Sequence, residues 1–274
     1  MGSGISFRLA AAFQKQDNSL LLVNENAEQA AYFLNDFERL LNPSDVLFFP
    51  ASYRQPYAQE TTDNANILLR AEVLKKLSAS KKPRIVVTYP QAIFEKIISQ
   101  HTLKRIALKL KKDTEVSLGF VNERLFEMGF ERVDFVSGPG EFAVRGGIID
   151  VFSFAYQHPY RIEFFDDLVE RLSSFNVSNQ LSITAFDEIE LLPNTSDHDF
   201  TDKRKTILSF FSSESCFIFS DTDKITHRLE NLYKKAEEAY KSLDTTTQYP
   251  PGKLFVQPQE WISDCQNKSI IVLE

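Results

Sequence analysis

In Glu141-Phe142-Ala143-Val144-Arg145-Gly146-Gly147-Ile148-Ile149-Asp150-Val151-Phe152 the hydrophobic period of this chain becomes two. Gly146-Gly147 separates the runs Glu141–Arg145 and Ile148–Ser153, which predicts a tight hairpin turn. Four of the nine glycines (Gly138, Gly140, Gly146, Gly147) fall within the ten residues 138–147. Downstream, Tyr160–Phe165 and Leu168–Phe175 flank Asp166-Asp167 as a second strand pair. Ile183–Leu192 reads as one last strand, closed by Pro193-Asn194. Upstream, a helix is expected at about Ser117–Glu127, with Gly129 placed to end it. Residues 110–198 are therefore expected to form a small α+β domain with an antiparallel sheet.

Both flanks read differently. In residues 1–109 the apolar runs Leu20–Val23, Asp45–Phe49 and Arg84–Thr88 are short, and two of them stop at Pro50 and near Pro90. Such runs suit strands buried on both faces. Between them, Asn26–Leu41 and Asn64–Leu77 place apolar residues at three- and four-residue steps, the helical period. Strand alternating with helix implies a parallel sheet with right-handed crossovers, the α/β class. Residues 199–274 return to that pattern. Ser215–Phe219 is a strand, Asp221–Leu243 a long helix with Asp221 and Thr222 as capping candidates, and Tyr249–Gly252 a turn. Ser269–Leu273 is a strand reaching almost to the last residue, the pattern of a fragment of a longer chain.

Composition narrows the function classes. The 274 residues are 43% hydrophobic and 25% charged, with a net charge of −7. The stretches differ: 1–109 carries 14 basic and 10 acidic side chains, while 110–198 carries 7 and 16. Nucleic-acid binding draws on clustered positive charge, so the middle stretch is a poor surface for it and a better one for a protein. Two cysteines, Cys216 and Cys265, exclude a disulfide scaffold, and the four histidines lie too far apart for a metal site. No apolar run reaches the roughly 18–20 residues of a membrane helix, and no signal peptide opens the chain. No membrane contact and a cytoplasmic location are the expectations.

Catalytic motifs are largely missing. Met1-Gly2-Ser3-Gly4 places small residues before a helix, as a phosphate-binding loop does, but the first lysine is Lys15, expected well inside that helix. Pro251-Gly252-Lys253 lacks the following Ser or Thr. Asp187-Glu188 reads as a solvated strand face rather than a magnesium-binding pair, and Asp197-His198-Asp199 sits in a loop. No Gly-x-Ser-x-Gly elbow occurs, and Cys216 reads as a core thiol. No enzymatic activity is expected of this chain.

The strand Tyr160–Phe165 is more informative. Tyr160, Ile162 and Phe164 share one side as a core face, and Arg161, Glu163 and Phe165 share the other. Arg145, ending the neighbouring strand, reaches that second side. Two arrangements fit. One is an ion pair of Arg161 or Arg145 with Glu163 or Asp150, with Phe165 covered by a loop. The other is the core of a protein interface, where a Phe beside Arg and Glu is common.

The run Ser137-Gly138-Pro139-Gly140 through Phe152 resembles the GEFAVRGGIIDIF signature of the bacterial transcription-repair coupling factor family, Mfd. Pro159–Asp167, Phe175-Asn176-Val177, Gln180-Leu181-Ser182 and Leu191-Leu192-Pro193 continue the resemblance. It extends more weakly over residues 1–116, including Phe49-Pro50 and the Tyr57–Glu60 loop, and least beyond 199. It implies a UvrB-like amino-terminal module: a split, degenerate P-loop helicase-like α/β domain (1–109 and 199–274) with an inserted α+β domain (110–198). The absent P-loop lysine fits such decay. The resemblance further implies that the insert docks UvrA, the damage-sensing ATPase of nucleotide excision repair, through Arg145, Arg161 and Phe165. It implies no cofactor for this chain, since ATP and magnesium serve the parent protein's motor domains. RNA polymerase and DNA would be partners only through parent regions beyond residue 274. Two competing roles stay open: nucleotide binding by the helicase-like part, and autoinhibitory packing of the insert on other domains of the parent protein.

Overall fold

The computed structural model describes residues 4–52, 56–57, 64–80, 82–154, 156–193, 204–243, 249–266 and 268–273. Met1-Gly2-Ser3, residues 58–60 of the Tyr57–Glu60 loop, Asn194 and Asp197-His198-Asp199 lie outside the described residues. The chain is mixed α/β and divides into two compact units, residues 1–100 with 196–274, and residues 101–195.

The chain begins with α1 (Gly4–Phe13), β1 (Leu20–Val23), α2 (Ala27–Leu40), β2 (Val46–Phe48), α3 (Asn64–Ala79) and β3 (Ile85–Thr88). α4 (Pro90–Phe94), β4 (Ile97–Ile98) and α5 (Gln100–Ile106) lead out of the first unit. The second unit contains β5 (Leu108–Lys111), α6 (Leu118–Glu127), β6 (Glu131–Arg132), β7 (Glu141–Arg145) and β8 (Ile148–Val151). β9 (Tyr160–Phe165), β10 (Leu168–Phe175), β11 (Ser182–Phe186) and β12 (Glu188–Leu191) complete it. The chain then returns to the first unit with β13 (Arg204–Lys205), β14 (Cys216–Phe219), α7 (Thr222–Lys241), α8 (Pro251–Leu254), α9 (Pro258–Gln266) and β15 (Ile270–Val272).

The first unit is built on a parallel sheet of order β15-β14-β1-β3-β2. β1 and β3, flanked on both sides, are buried along their whole length, as uninterrupted apolar runs require. The helices start where the sequence supplies caps. The side chains of Asn26 and Asp221 accept from the backbone N–H of Gln29 and Lys224, each at 2.9 Å. α1 ends at Phe13, so Lys15 lies beyond the helix instead of inside it. The expected turn at Tyr249–Gly252 closes into the short helix α8, because a proline at the first helical position already has helical φ.

A buried ion pair locks the segment following β2. Arg70 of α3 donates to the carbonyls of Pro50 (2.7 Å) and Ala92 (3.1 Å), lies 4.1 Å over the Phe49 ring, and pairs with Glu95 at 3.2 Å. The backbone N–H and hydroxyl of Ser52 donate to the same carboxylate at 2.7 and 2.5 Å. Burial pushes the Glu95 carboxyl upward, and Arg70 and Ser52 oppose that push.

The second unit contains a six-stranded sheet of order β11-β10-β9-β8-β7-β6, antiparallel except for β6 with β7. Gly146 takes φ +59°, and a Cβ at Gly147 would meet the Phe164 carbonyl oxygen at 2.9 Å, so the β7–β8 turn needs both glycines. Asp166 opens the β9–β10 turn at φ +52°. Ser117 caps α6, and Gly129 follows it at φ +78°. The single strand expected at Ile183–Leu192 is two strands. β11 pairs with β10, whereas β12 pairs with β5 in a separate ladder. Asp187 marks the change, its carbonyl accepting from the Lys112 N–H at 2.8 Å. Because Leu108–Lys111 joins the second unit through this ladder, the division falls at 100/101, ahead of the 109/110 boundary expected from sequence.

Arg70→Ala would leave the buried Glu95 without the guanidinium that pairs with it. A loss of about 3–5 kcal/mol is expected for this unit in urea denaturation followed by the fluorescence of Trp261, the sole tryptophan. A loss below about 1 kcal/mol would mean that water replaces the guanidinium there.

Candidate protein-docking site

Register sets up the site. Ala143 of β7, Asp150 of β8, Arg161 of β9 and Ser173 of β10 are opposite one another and share one sheet face. Asp150 is 1% exposed. Arg161 grips it bidentately, Nε to Oδ1 at 2.7 Å and Nη2 to Oδ2 at 2.9 Å, and Arg145 reaches the same Oδ2 from the end of β7. Arg161 also donates to the Gln180 carbonyl (3.4 Å) and side-chain oxygen (3.0 Å) and lies 4.4 Å over the Phe175 ring. Its hydrogen bonds to Asp150 hold the guanidinium pKa above its ordinary value against the opposing effect of burial.

The opposite face is the main core of the sheet: Phe142, Ile149, Val151, Tyr160, Ile162 and Leu172 are buried. Tyr160 and Ile162 lie where the period-two pattern puts them, and Phe164 is half-buried. The face read from sequence as polar is not simply solvated. Val136, Ala143 and Phe152 form a small core there, with Val133 and Val177 packed against it.

Arg145, Arg161 and Phe165 do share this face, but they are not equivalent. The two arginines meet on Asp150. Phe165, which one sequence-based arrangement covered with a loop, is 68% exposed at the end of the β9–β10 hairpin. Glu163 pairs with Arg171 at 3.7 Å and with neither of the other arginines. The ion pair and the exposed aromatic therefore coexist. Beside them lies an open groove of about 500 Å³ between Lys112, Glu163, Glu170, Arg171 and Phe186.

Sequence reasoning missed the segment between β6 and β7. Asp134 offers its carbonyl to Arg145 Nη1 at 3.1 Å, and Phe135 lies 4.9 Å beneath the same guanidinium. Glu141 secures the other end. Its Oε2 accepts from the Ser137 N–H (2.6 Å), the Ser137 hydroxyl (2.9 Å) and the Gly138 N–H (2.9 Å). Gly140 follows at φ +86°, where a Cβ would stand 2.4 Å from the Phe154 ring. The glycine cluster and the glutamate three residues after Gly138 were the available signals.

Among the described residues no group of three His, Cys, Asp or Glu could hold a metal, and no helix is long and apolar enough to cross a membrane. Burial pushes the Cys216 thiol up, and burial with the nearby Asp264 takes Cys265 to about 12, so neither supplies a thiolate at neutral pH.

Residues 108–196 match the family model of the UvrB interaction domain. The chain is 30% identical over 192 residues to the transcription-repair-coupling factor of Bacillus subtilis, covering 70% of the chain and 16% of that protein. To the same factor of Staphylococcus epidermidis it is 27% identical over 97% of the chain and 23% of the relative. To that of Escherichia coli it is 27% identical over 74% of the chain and 17% of the relative. The chain thus spans about a fifth of the length of these curated relatives.

Glu141 gives a pH-dependent test. Burial would raise its carboxyl, but the three hydrogen bonds from Ser137 and Gly138 outweigh it and hold the folded value below 4.5. Its contribution is therefore fully present above pH 4.5 and is lost as pH falls through the lowered folded value. Glu141→Gln is expected to lower stability by about 1 kcal/mol at pH 7 and to matter little once the wild-type carboxyl is protonated. Thermal melts across the acid range decide it: an equal loss at all pH values would remove the charge from the account.

Proposed function

We propose that this chain, a UvrB-like module of the transcription-repair-coupling factor family, acts by protein recognition, its inserted unit docking UvrA and so bringing excision-repair enzymes to an RNA polymerase stalled at DNA damage. The observation that carries this reading is Phe165. It is a large apolar side chain, 68% exposed, on a sheet end whose arginines are fixed by a buried carboxylate, within the region that matches the UvrB interaction domain. An exposed aromatic on the same sheet face as a half-exposed arginine has the composition of a binding hot spot. Phe165 would fill an apolar pocket, and Arg145 would meet a partner carboxylate.

Arg161 has a different part. Its guanidinium is occupied by Asp150 and Gln180, so it positions the face and contributes little direct contact. The first unit is read as a decayed P-loop helicase-like scaffold. Support comes from a parallel sheet assembled from both ends of the chain. ATP hydrolysis with magnesium, DNA translocation and polymerase binding are assigned to other regions of the parent protein.

Calorimetric titration with UvrA tests this. Phe165→Ala is expected to cost about 2 kcal/mol, roughly thirtyfold in affinity, with an unchanged melting midpoint. Arg161→Ala is expected to weaken binding and also lower the midpoint, because Asp150 loses its bidentate partner. Absence of binding by the wild-type chain would transfer the face to packing against another domain of the parent protein.

A further inference from the structure

Phe165 has a counterpart that the sequence pattern did not single out. Phe135 is 69% exposed, yet it is not on a slack loop. Arg145 stacks on its ring and bonds to the Asp134 carbonyl, Glu141 ties down Ser137 and Gly138, and Val136 is buried in the small core. A large apolar ring held out into solvent from both sides is a preorganised contact, since little side-chain freedom is left to lose on binding.

The two rings belong to one surface. Arg145, Ile148 and Glu163 form a cross-strand row in register, so Arg145 and Glu163 lie roughly 10 Å apart on the same face. Phe165 is one same-face step beyond Glu163, about 7 Å along β9. Phe135 covers the Arg145 end. Together they span a width that fits inside one interface of standard size. Phe126, also exposed, does not belong to this surface: its ring packs edge-on against Phe142, on the opposite face of the sheet. Around the two rings stand the exposed carboxylates Asp134, Asp166, Asp167 and Glu170.

We infer that Phe135 is a second aromatic anchor of this docking surface, and that the surface fits a protein presenting two apolar sockets rimmed by lysine and arginine. The inference rests on the docking reading above and specifies the chemistry of that partner.

Titrations of the full chain with UvrA at low and high salt test it, using Phe135→Ala, Phe135→Leu, Phe165→Ala and Asp167→Lys. Phe135→Ala is expected to weaken binding about tenfold or more with an unchanged melting midpoint, and Phe135→Leu to recover part of the loss. Asp167→Lys is expected to weaken binding at low salt and to flatten its salt dependence. If Phe165→Ala weakens binding while Phe135→Ala and Asp167→Lys bind like wild type, this inference fails and the docking reading stands. A loss in Phe135→Ala that follows a lowered midpoint would make the ring structural and also overturn it. No binding by the wild-type chain would remove the docking reading itself.

Discussion

Asp150 is one buried carboxylate shared by two arginines, and the geometry of the second unit's candidate docking face depends on it. Placing it in the middle of a sheet removes it from water, a cost offset only because Arg161 meets both of its oxygens and Arg145 one of them. The arrangement joins three strands through their side chains, β7 by Arg145, β8 by Asp150 and β9 by Arg161. Buried charges of this kind add little net stability compared with apolar packing. What they supply is a single admissible arrangement, since any register slip would leave Asp150 without a partner. The Phe175 ring under Arg161 and the Phe135 ring under Arg145 continue the network in both directions.

Much of this was legible in the sequence, for identifiable reasons. The two-residue turns Gly146-Gly147 and Asp166-Asp167 fix the register of their hairpins, and a period of two then assigns every side chain to a face. That was enough to gather Arg145, Arg161 and Phe165 on one side. It could not reveal that the middle of that side is itself buried, because Val133, Val136 and Val177 come from irregular segments with no period. Nor could it divide Ile183–Leu192. The alternation runs on through Asp187 while the partner strand changes, and partner identity is a property of the whole fold.

The first unit shows the same limit. Buried parallel strands and amphipathic helices announce themselves locally, and β1, β2, β3, α2 and α3 lie close to where their patterns predict. The Arg70–Glu95 pair does not. Arg70 lies within a helical repeat and Glu95 follows a short helix, and nothing nearby marks either as buried. Their partners, the carbonyls of Pro50 and Ala92 and the donors of Ser52, are brought together only by tertiary packing.

Charge and rigidity together bear on how such a face would recognise a partner. Residues 110–198 are strongly acidic, with 16 acidic against 7 basic side chains, yet two of those seven basic residues are spent on one buried aspartate. Asp150 neutralises one of their two charges, so around the face the exposed acids of the turns prevail. An acidic rim steers encounter with a basic surface and repels nucleic acid, while desolvated apolar contacts set how long the complex lasts. The clamp serves both, because arginines already fixed by Asp150 and a Phe135 ring already stacked under Arg145 need little reordering when a partner arrives. A looser sheet carrying the same side chains would have to order them at the moment of binding, and part of the contact energy would be consumed in doing so.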